Sequence, residues 1–411
     1  MSDDCCLLFP VPCSLFPTSR RSLFLKYMAT SLINPNQDFA LWAVLLSAAT
    51  IGFWAERTPW GAKLSGAVVT ILVTFILSNL RIIPPDAPAY GVVWSYLVPL
   101  AIPLLLFQAD LFRIVREAGP TLIAYGIGAV GTILGTVVAY YLIPLGEEGW
   151  KLAAIFCATY IGGSVNFAAT AESTGLRAGD LLSAGVAADN LVMTLYFLVL
   201  FSLPSIKWLR GIFPTQRSHE NSNSSQFSIF DSQSRQQLSV MQISLALAIS
   251  MIACAVGYGL ASWLGFNKGG ILVVTVLIVM LATVFPSYLG RITAAEKIGY
   301  LLMQVFFAVI GASANVEIVL RVGSVLFIFA GLILAIHLLV LLGVGRLLGL
   351  DLAELVIASN ANMGGPTTAA AMATARQWDK LVTPAILCGT LGYAVATFIG
   401  VGLGNFVRSL G

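Results

Sequence analysis

Two glycine pairs, each set among small polar residues inside an otherwise apolar stretch, are the part of this chain best suited to chemistry. The first lies in Tyr160-Ile161-Gly162-Gly163-Ser164-Val165-Asn166 and the second in Ser359-Asn360-Ala361-Asn362-Met363-Gly364-Gly365-Pro366-Thr367-Thr368, and both run on into alanine-rich sequence. Glycine lets the backbone turn and lets a ligand approach it closely, and proline suits the first turn of the helix that follows. Half-helices starting near Ser164 and Pro366 would aim free N–H groups and a positive dipole end into a cavity, which suits a carboxylate or another anion. Unwound carbonyls with Asn or Thr oxygens could equally hold Na⁺. Small polar residues also serve close helix packing, but their duplication around glycine pairs favours a site. The expected substrate site is Gly162, Gly163, Ser164, Asn166, Asn360, Asn362, Gly364, Gly365, Pro366, Thr367 and Thr368.

Asp189, followed by Asn190, falls in the middle of an apolar stretch. An ionised carboxylate at bilayer depth costs at least ~2.5–3.5 kcal/mol unless paired or hydrated, so such a residue is a functional candidate. Asp189 and Asn190 are the expected ion-coupling residues. A proton in a dry pocket and a bound Na⁺ are both open to Asp189. At the matching place in the second half stand Gly389 and Thr390, so the acid is present on one side only. His337 is the one histidine within an apolar stretch, and hydrogen bonding within the bundle is its ordinary role. Glu172 is expected at the mouth of the first glycine-pair stretch, and Gln108, Asp110 and Asn315 as caps at the ends of theirs.

The elements that must position these residues are membrane helices. Hydrophobic residues make up 58% of 411 and charged residues 10%, where a soluble domain carries about 25% charged residues. Twelve apolar stretches centre near Leu45, Leu72, Pro99, Ala129, Gly162, Leu191, Leu247, Thr275, Phe306, Leu334, Met363 and Tyr393, each of roughly the ~20 residues a spanning helix needs. The alternating pattern of a membrane barrel is absent, so the fold class is an all-α polytopic membrane protein. No metal-ligand spacing, Walker loop or basic cluster is present, which leaves no expected cofactor beyond Na⁺ and excludes nucleic acid as a partner. The expected partners are the lipid bilayer and a small-molecule or ion substrate, with a homodimer left open.

The chain divides into residues 1–38, 39–204, 205–238 and 239–411. The first segment has Arg20, Arg21, Lys26 and several Ser and Thr, which suits an organellar transit peptide although Asp3 and Asp4 oppose it; Met28 offers a second start. Residues 205–238, rich in Ser, Asn and Gln, read as a polar linker between two membrane repeats. Inverted repeats need an odd number of crossings each. Twelve full crossings would divide the 19 Lys and Arg after the first segment as 10 against 9, whereas treating the glycine-pair stretches as re-entrant hairpins divides them as 13 against 6. The positive-inside bias therefore predicts about five crossings plus one re-entrant or discontinuous helix per repeat, with the linker on the richer side.

At Gly162-Gly163-Ser164-Val165-Asn166-Phe167, Ala188-Asp189-Asn190, Phe306-Phe307-Ala308-Val309-Ile310-Gly311-Ala312 and Asn360-Ala361-Asn362-Met363-Gly364-Gly365-Pro366-Thr367-Thr368, the chain resembles the YjcL-like family of uncharacterised integral membrane proteins, domain-of-unknown-function family 819, including its plant members. The resemblance runs from about Phe39 to Leu410. That family is similar to glutamate:sodium symporters and cation:proton antiporters, which implies secondary transport by an elevator-like movement. The expectation is an ion-coupled transporter, using Na⁺ or H⁺, of an organic anion or amino acid, in the chloroplast envelope or another plastid membrane. A cation:proton antiporter is the nearest alternative. An intramembrane hydrolase with Ser164 as nucleophile and His337 as base is the rival from another class, and the expectation is that the protein is not an enzyme.

Overall fold

The computed structural model describes residues 31–58, 66–213, 239–265 and 270–410. Most of the amino-terminal segment and most of the linker therefore lie outside the described residues. Every regular element among the described residues is a helix. Thirteen of them build the membrane unit: α1 (Asp38–Glu56), α2 (Gly66–Asn79), α3 (Pro88–Leu105), α4 (Gly119–Leu142), α5 (Gly149–Gly162), α6 (Ser164–Thr174), α7 (Gly179–Ser202), α8 (Val240–Trp263), α9 (Gly270–Val284), α10 (Ala294–Ala312), α11 (Val316–Leu347), α12 (Leu352–Ala375) and α13 (Val382–Leu410). Short helices at Leu111–Glu117, Lys207–Ile212 and Pro286–Leu289 lie in the connections. Asp110 and Asn315 are caps as expected: Asp110 Oδ1 accepts from Phe112 N and Arg113 N, and Asn315 Oδ1 from Glu317 N.

Eight helices are long and apolar enough to cross a membrane, and α2 and α9 are shorter apolar helices. Together they are ten apolar helices, five in each half. The remaining pair, α5–α6 and α12, hold the glycine pairs, and both fold back on themselves. In α12, Thr368 Oγ1 donates to Asn360 Oδ1 at 2.7 Å and Asn360 Nδ2 lies 3.4 Å from Met372 Sδ. Along a straight helix residues eight and twelve apart would be separated by about 12 and 18 Å, so the chain reverses at Gly365. In the first half, Lys151 near the start of α5 and Ser173, Thr174 and Gly175 at the end of α6 line one cavity of about 330 Å³. Both glycine-pair stretches are therefore hairpins.

The contacts at helix ends agree with this topology. Arg408 at the end of α13 stacks 4.8 Å over the Trp150 ring at the base of the first hairpin, and Arg376 at the base of the second lies 5.5 Å from the Phe201 ring at the end of α7. Asn79 at the end of α2 donates to Ala314 O after α10, and Gln242 at the start of α8 to Arg291 O before α10. The first hairpin enters from the face that holds residues 31 and 410, and the second from the face of the 203–239 connection.

Packing divides the membrane unit differently from the sequence. The first three helices of both halves, α1–α3 and α8–α10, pack together as one body, and α4–α7 with α11–α13 form a second. The two bodies, called here the frame and the core, each take elements from both halves. Residues 31–37 also belong to the unit, since Leu32 N and Ile33 N donate to Arg81 O and Ile82 O. On the other side of α7, the short helix to Ile212 keeps Leu209 and Phe213 buried, so the unit extends past residue 205.

A pair of cysteines at Lys151 and Thr174 in a background lacking the native cysteines should be joined by a short bifunctional maleimide, read as a changed proteolytic pattern on a gel. A straight helix through Gly163 would hold these positions more than 30 Å apart and give no cross-link.

Candidate functional site

The glycine pairs break their helices in one and the same way. Gly163 has φ 77°, ψ −179°, and Gly365 has φ 77°, ψ −166°, a region of backbone space that only glycine enters without strain. The two tips meet. A Cβ built on Gly163 would lie 3.4 Å from Gly365 N and 3.5 Å from Met363 O. Helix α13 passes against both tips through glycines: a Cβ on Gly389 would meet Pro366 N and one on Gly392 would meet the Gly162 Cα, each too close to be accommodated.

Breaking a helix strands its last carbonyls. At the first tip, side chains take all three. Thr132 Oγ1 donates to Tyr160 O at 3.1 Å, Tyr125 Oη to Ile161 O at 2.6 Å, and Asn166 Nδ2 to Gly162 O at 2.8 Å. Asn166 also reaches Gly392 O at 3.3 Å and accepts from Thr397 Oγ1 at 2.7 Å. Its amide is thus a clasp between the hairpin and α13. Asn360 closes the second hairpin through Thr368, and Asn362 Nδ2 reaches Tyr125 O at 3.4 Å while its Oδ1 has no partner.

The residues predicted for the site thus separate. Ser164 and Thr367 are exposed, Gly364, Pro366 and Thr368 are half-buried, and Gly162, Gly163, Gly365, Asn166, Asn360 and Asn362 are buried. No side chain caps the N-terminus of α6. Thr367 faces the Tyr300 hydroxyl of the frame, which lies 3.4 Å from Tyr393 Oη of the core. The accessible part of the second tip therefore borders the seam between the bodies.

Asp189 is buried, with 8% of its surface exposed. It faces the Tyr160 side chain on α5, yet neither Asp189 Oδ1 nor Tyr160 Oη has a hydrogen-bond partner. The side chain of its neighbour Asn190 donates to Val186 O at 2.8 Å. Glu172 stands at the hairpin mouth as expected, its carboxylate 3.3 Å from Arg177 Nη2. Among the described residues no group of His, Cys, Asp and Glu is arranged to hold a metal ion.

His337 is fully buried and hydrogen-bonded within the bundle, at the centre of a chain whose other members the sequence did not name. Its Nδ1 lies 2.9 Å from Thr132 Oγ1, its Nε2 lies 3.0 Å from Ser359 Oγ, and Ser359 Oγ lies 2.7 Å from Tyr196 Oη. Both ring nitrogens are thus engaged by residues other than Ser164. The chain runs from the first tip through α4 and α11 to the second hairpin and ends on α7, the helix of Asp189. Tyr125 and Thr132, seven residues apart on one face of α4, were the available signal.

The model of the family described as Protein of unknown function (DUF819) matches residues 43–410. The chain belongs to that family. A relative, the Uncharacterized membrane protein YjcL of Bacillus subtilis (strain 168), is 34% identical over 396 residues, covering 92% of this chain and 99% of that protein. The family match spans both hairpins and Asp189.

Alanine at Gly163 or Gly365 should lower stability by roughly 1–3 kcal/mol, the cost of a non-glycine residue in this backbone region. Alanine at Gly402, whose Cβ would meet nothing within 4 Å, should be neutral or mildly stabilising. Thermal unfolding of the detergent-solubilised variants reads the contrast, and equal effects at all three positions would contradict the assigned backbone.

Proposed function

We propose that this protein is an ion-coupled secondary transporter of a small solute, an organic anion or an amino acid. The observation that carries the reading is the meeting of two helix breaks of closely similar backbone conformation, with exposed Ser164 and Thr367 beside them and Thr367 at the seam between two bodies. Half-helix N-termini at such a place favour negatively charged groups, and broken helices at bilayer depth are the common form of a transporter's binding site.

On this reading the halves are inverted repeats, five crossings and one hairpin each, and the core moves against the frame in an elevator-like way. Among the described residues the polar contacts between the bodies include Ser183 Oγ donating to Ile310 O at 3.1 Å, Leu111 N to Thr283 Oγ1 at 3.2 Å, Val316 N to Asn79 Oδ1 at 3.2 Å, Arg177 over the Trp94 ring, and the meeting of Tyr300 with Tyr393. Asp189 couples the movement to an ion. A cation:proton antiporter is the variant in which the ion is itself the substrate. Transport is favoured over hydrolysis by Ser164 because His337, the base such a nucleophile would need, is fully buried and its ring nitrogens meet Thr132 and Ser359 instead of Ser164. Residence in a plastid membrane such as the chloroplast envelope rests on the composition of the amino-terminal segment.

The test is flux in proteoliposomes carrying the purified full chain, with Na⁺ or pH gradients and a panel of radiolabelled carboxylates and amino acids. At least one solute should accumulate only with a gradient, and Asp189→Asn should abolish accumulation. Thr367→Val should weaken apparent solute affinity about 2- to 10-fold, the loss of one neutral hydrogen bond of roughly 0.5–1.5 kcal/mol. Gradient-independent leakage alone, unchanged in Asp189→Asn, would overturn the proposal.

A further inference from the structure

The oxygen atoms around the first hairpin tip bear on which ion is coupled, a question that rests on the transporter reading above. Na⁺ at a broken helix is held by several oxygens, with unwound carbonyls chief among them. Here the carbonyls of Tyr160, Ile161 and Gly162 already accept from Thr132, Tyr125 and Asn166, and Asn166 Oδ1 accepts from Thr397. Beside Asp189 stands the buried Tyr160 hydroxyl, with Asp189 Oδ1 and Tyr160 Oη both unpartnered. A carboxylate and one phenol make a poor shell for a metal cation. They make a good pair for a proton, because a phenol can donate to a carboxylate and accept from a carboxylic acid.

We propose that the coupling ion is H⁺, carried on Asp189 with the Tyr160 hydroxyl as its partner. In uptake, a proton from water on one face forms an O–H bond with a carboxylate oxygen of Asp189 and the acid donates to Tyr160 Oη. In release that O–H bond breaks, the proton returns to water on the other face, and Tyr160 donates to the carboxylate instead. No electron transfer or co-reactant is involved.

No other charge intrudes on the pair. Helix α7 packs against α2, α10, α11 and α12 as well as facing α5. Helix α2 has no titratable residue; Glu296 and Lys297 on α10, Glu317, Arg321 and Arg346 on α11, Glu354 on α12, Asp180 on α7 and Lys151 on α5 all stand near helix ends. Tyr300 on α10 faces Tyr393 and Thr367. His337 and Tyr196 are committed to each other's network through Ser359, and Cys157 on α5 is a buried free thiol.

The experiment is thermal unfolding of the purified full chain from pH 5 to 9, in NaCl and in choline chloride of equal ionic strength, for wild type, Asp189→Asn and Tyr160→Phe. Infrared difference spectra between the two ends of that range accompany it. Wild type should lose stability as pH rises and show a protonated-carboxyl band at low pH, both independent of Na⁺. The band should be absent in Asp189→Asn and displaced in Tyr160→Phe, which keeps the fold's volume and reports even if Asp189→Asn does not fold. A Na⁺-specific stabilisation lost in either variant, or a band unchanged in Tyr160→Phe, would overturn the assignment. Because the readout needs no flux, a protein that titrates in this way but transports nothing would sink the transporter reading and leave the proton site standing.

Discussion

Backbone groups freed by a helix break in a water-poor interior must find partners, and the core of this protein is arranged around that requirement. A buried carbonyl left without a donor costs about 1–3 kcal/mol, and the first hairpin tip strands three in succession. Two are taken by Tyr125 and Thr132 from α4 and one by Asn166 from the hairpin itself. Satisfying those carbonyls fixes α4 against the tip. Thr132 then places His337, His337 places Ser359, and Ser359 places Tyr196. One break therefore sets the relative positions of α4, α7, α11 and both hairpins.

The same arrangement explains why the molecule divides into core and frame instead of into its two halves. A hairpin that enters from one face only half-crosses, and its tip needs the tip of the other hairpin and the glycine face of α13 to be covered. Both hairpins and their partners must gather in one body, which leaves the first three helices of each half to pack with one another. The seam between the bodies is where the exposed Thr367, the Tyr300–Tyr393 contact and the cavity at Lys151, Glu172 and Tyr258 are found.

Much of this was legible in the residues. The glycine pairs, the mid-span Asp189 and the capping roles of Asp110 and Asn315 pointed to the breaks, to the buried acid and to the starts of two helices. The roles of the asparagines were not legible, because a side chain that binds a ligand and one that closes its own hairpin have the same composition and spacing. Asn166 and Asn360 turned out to serve the hairpins, and the exposed positions are Ser164 and Thr367. Tyr160, Thr132, Ser359 and Tyr196 were overlooked because single hydroxyls are ordinary in membrane helices, and only the fold shows which of them meet. Gly389, noted as the counterpart of Asp189, gained its meaning only when the second tip was seen to press on it.

The central claim is that the two tips form one site served in turn from both faces of the membrane. Substituted-cysteine accessibility at Ser164 and Thr367, in sealed vesicles of both orientations and in a background without the six native cysteines, tests it most directly. The account predicts that an impermeant thiol reagent reaches each position from either face, with the preferred face shifting when the pH gradient is reversed. Labelling from one face alone, whatever the gradient, would contradict it.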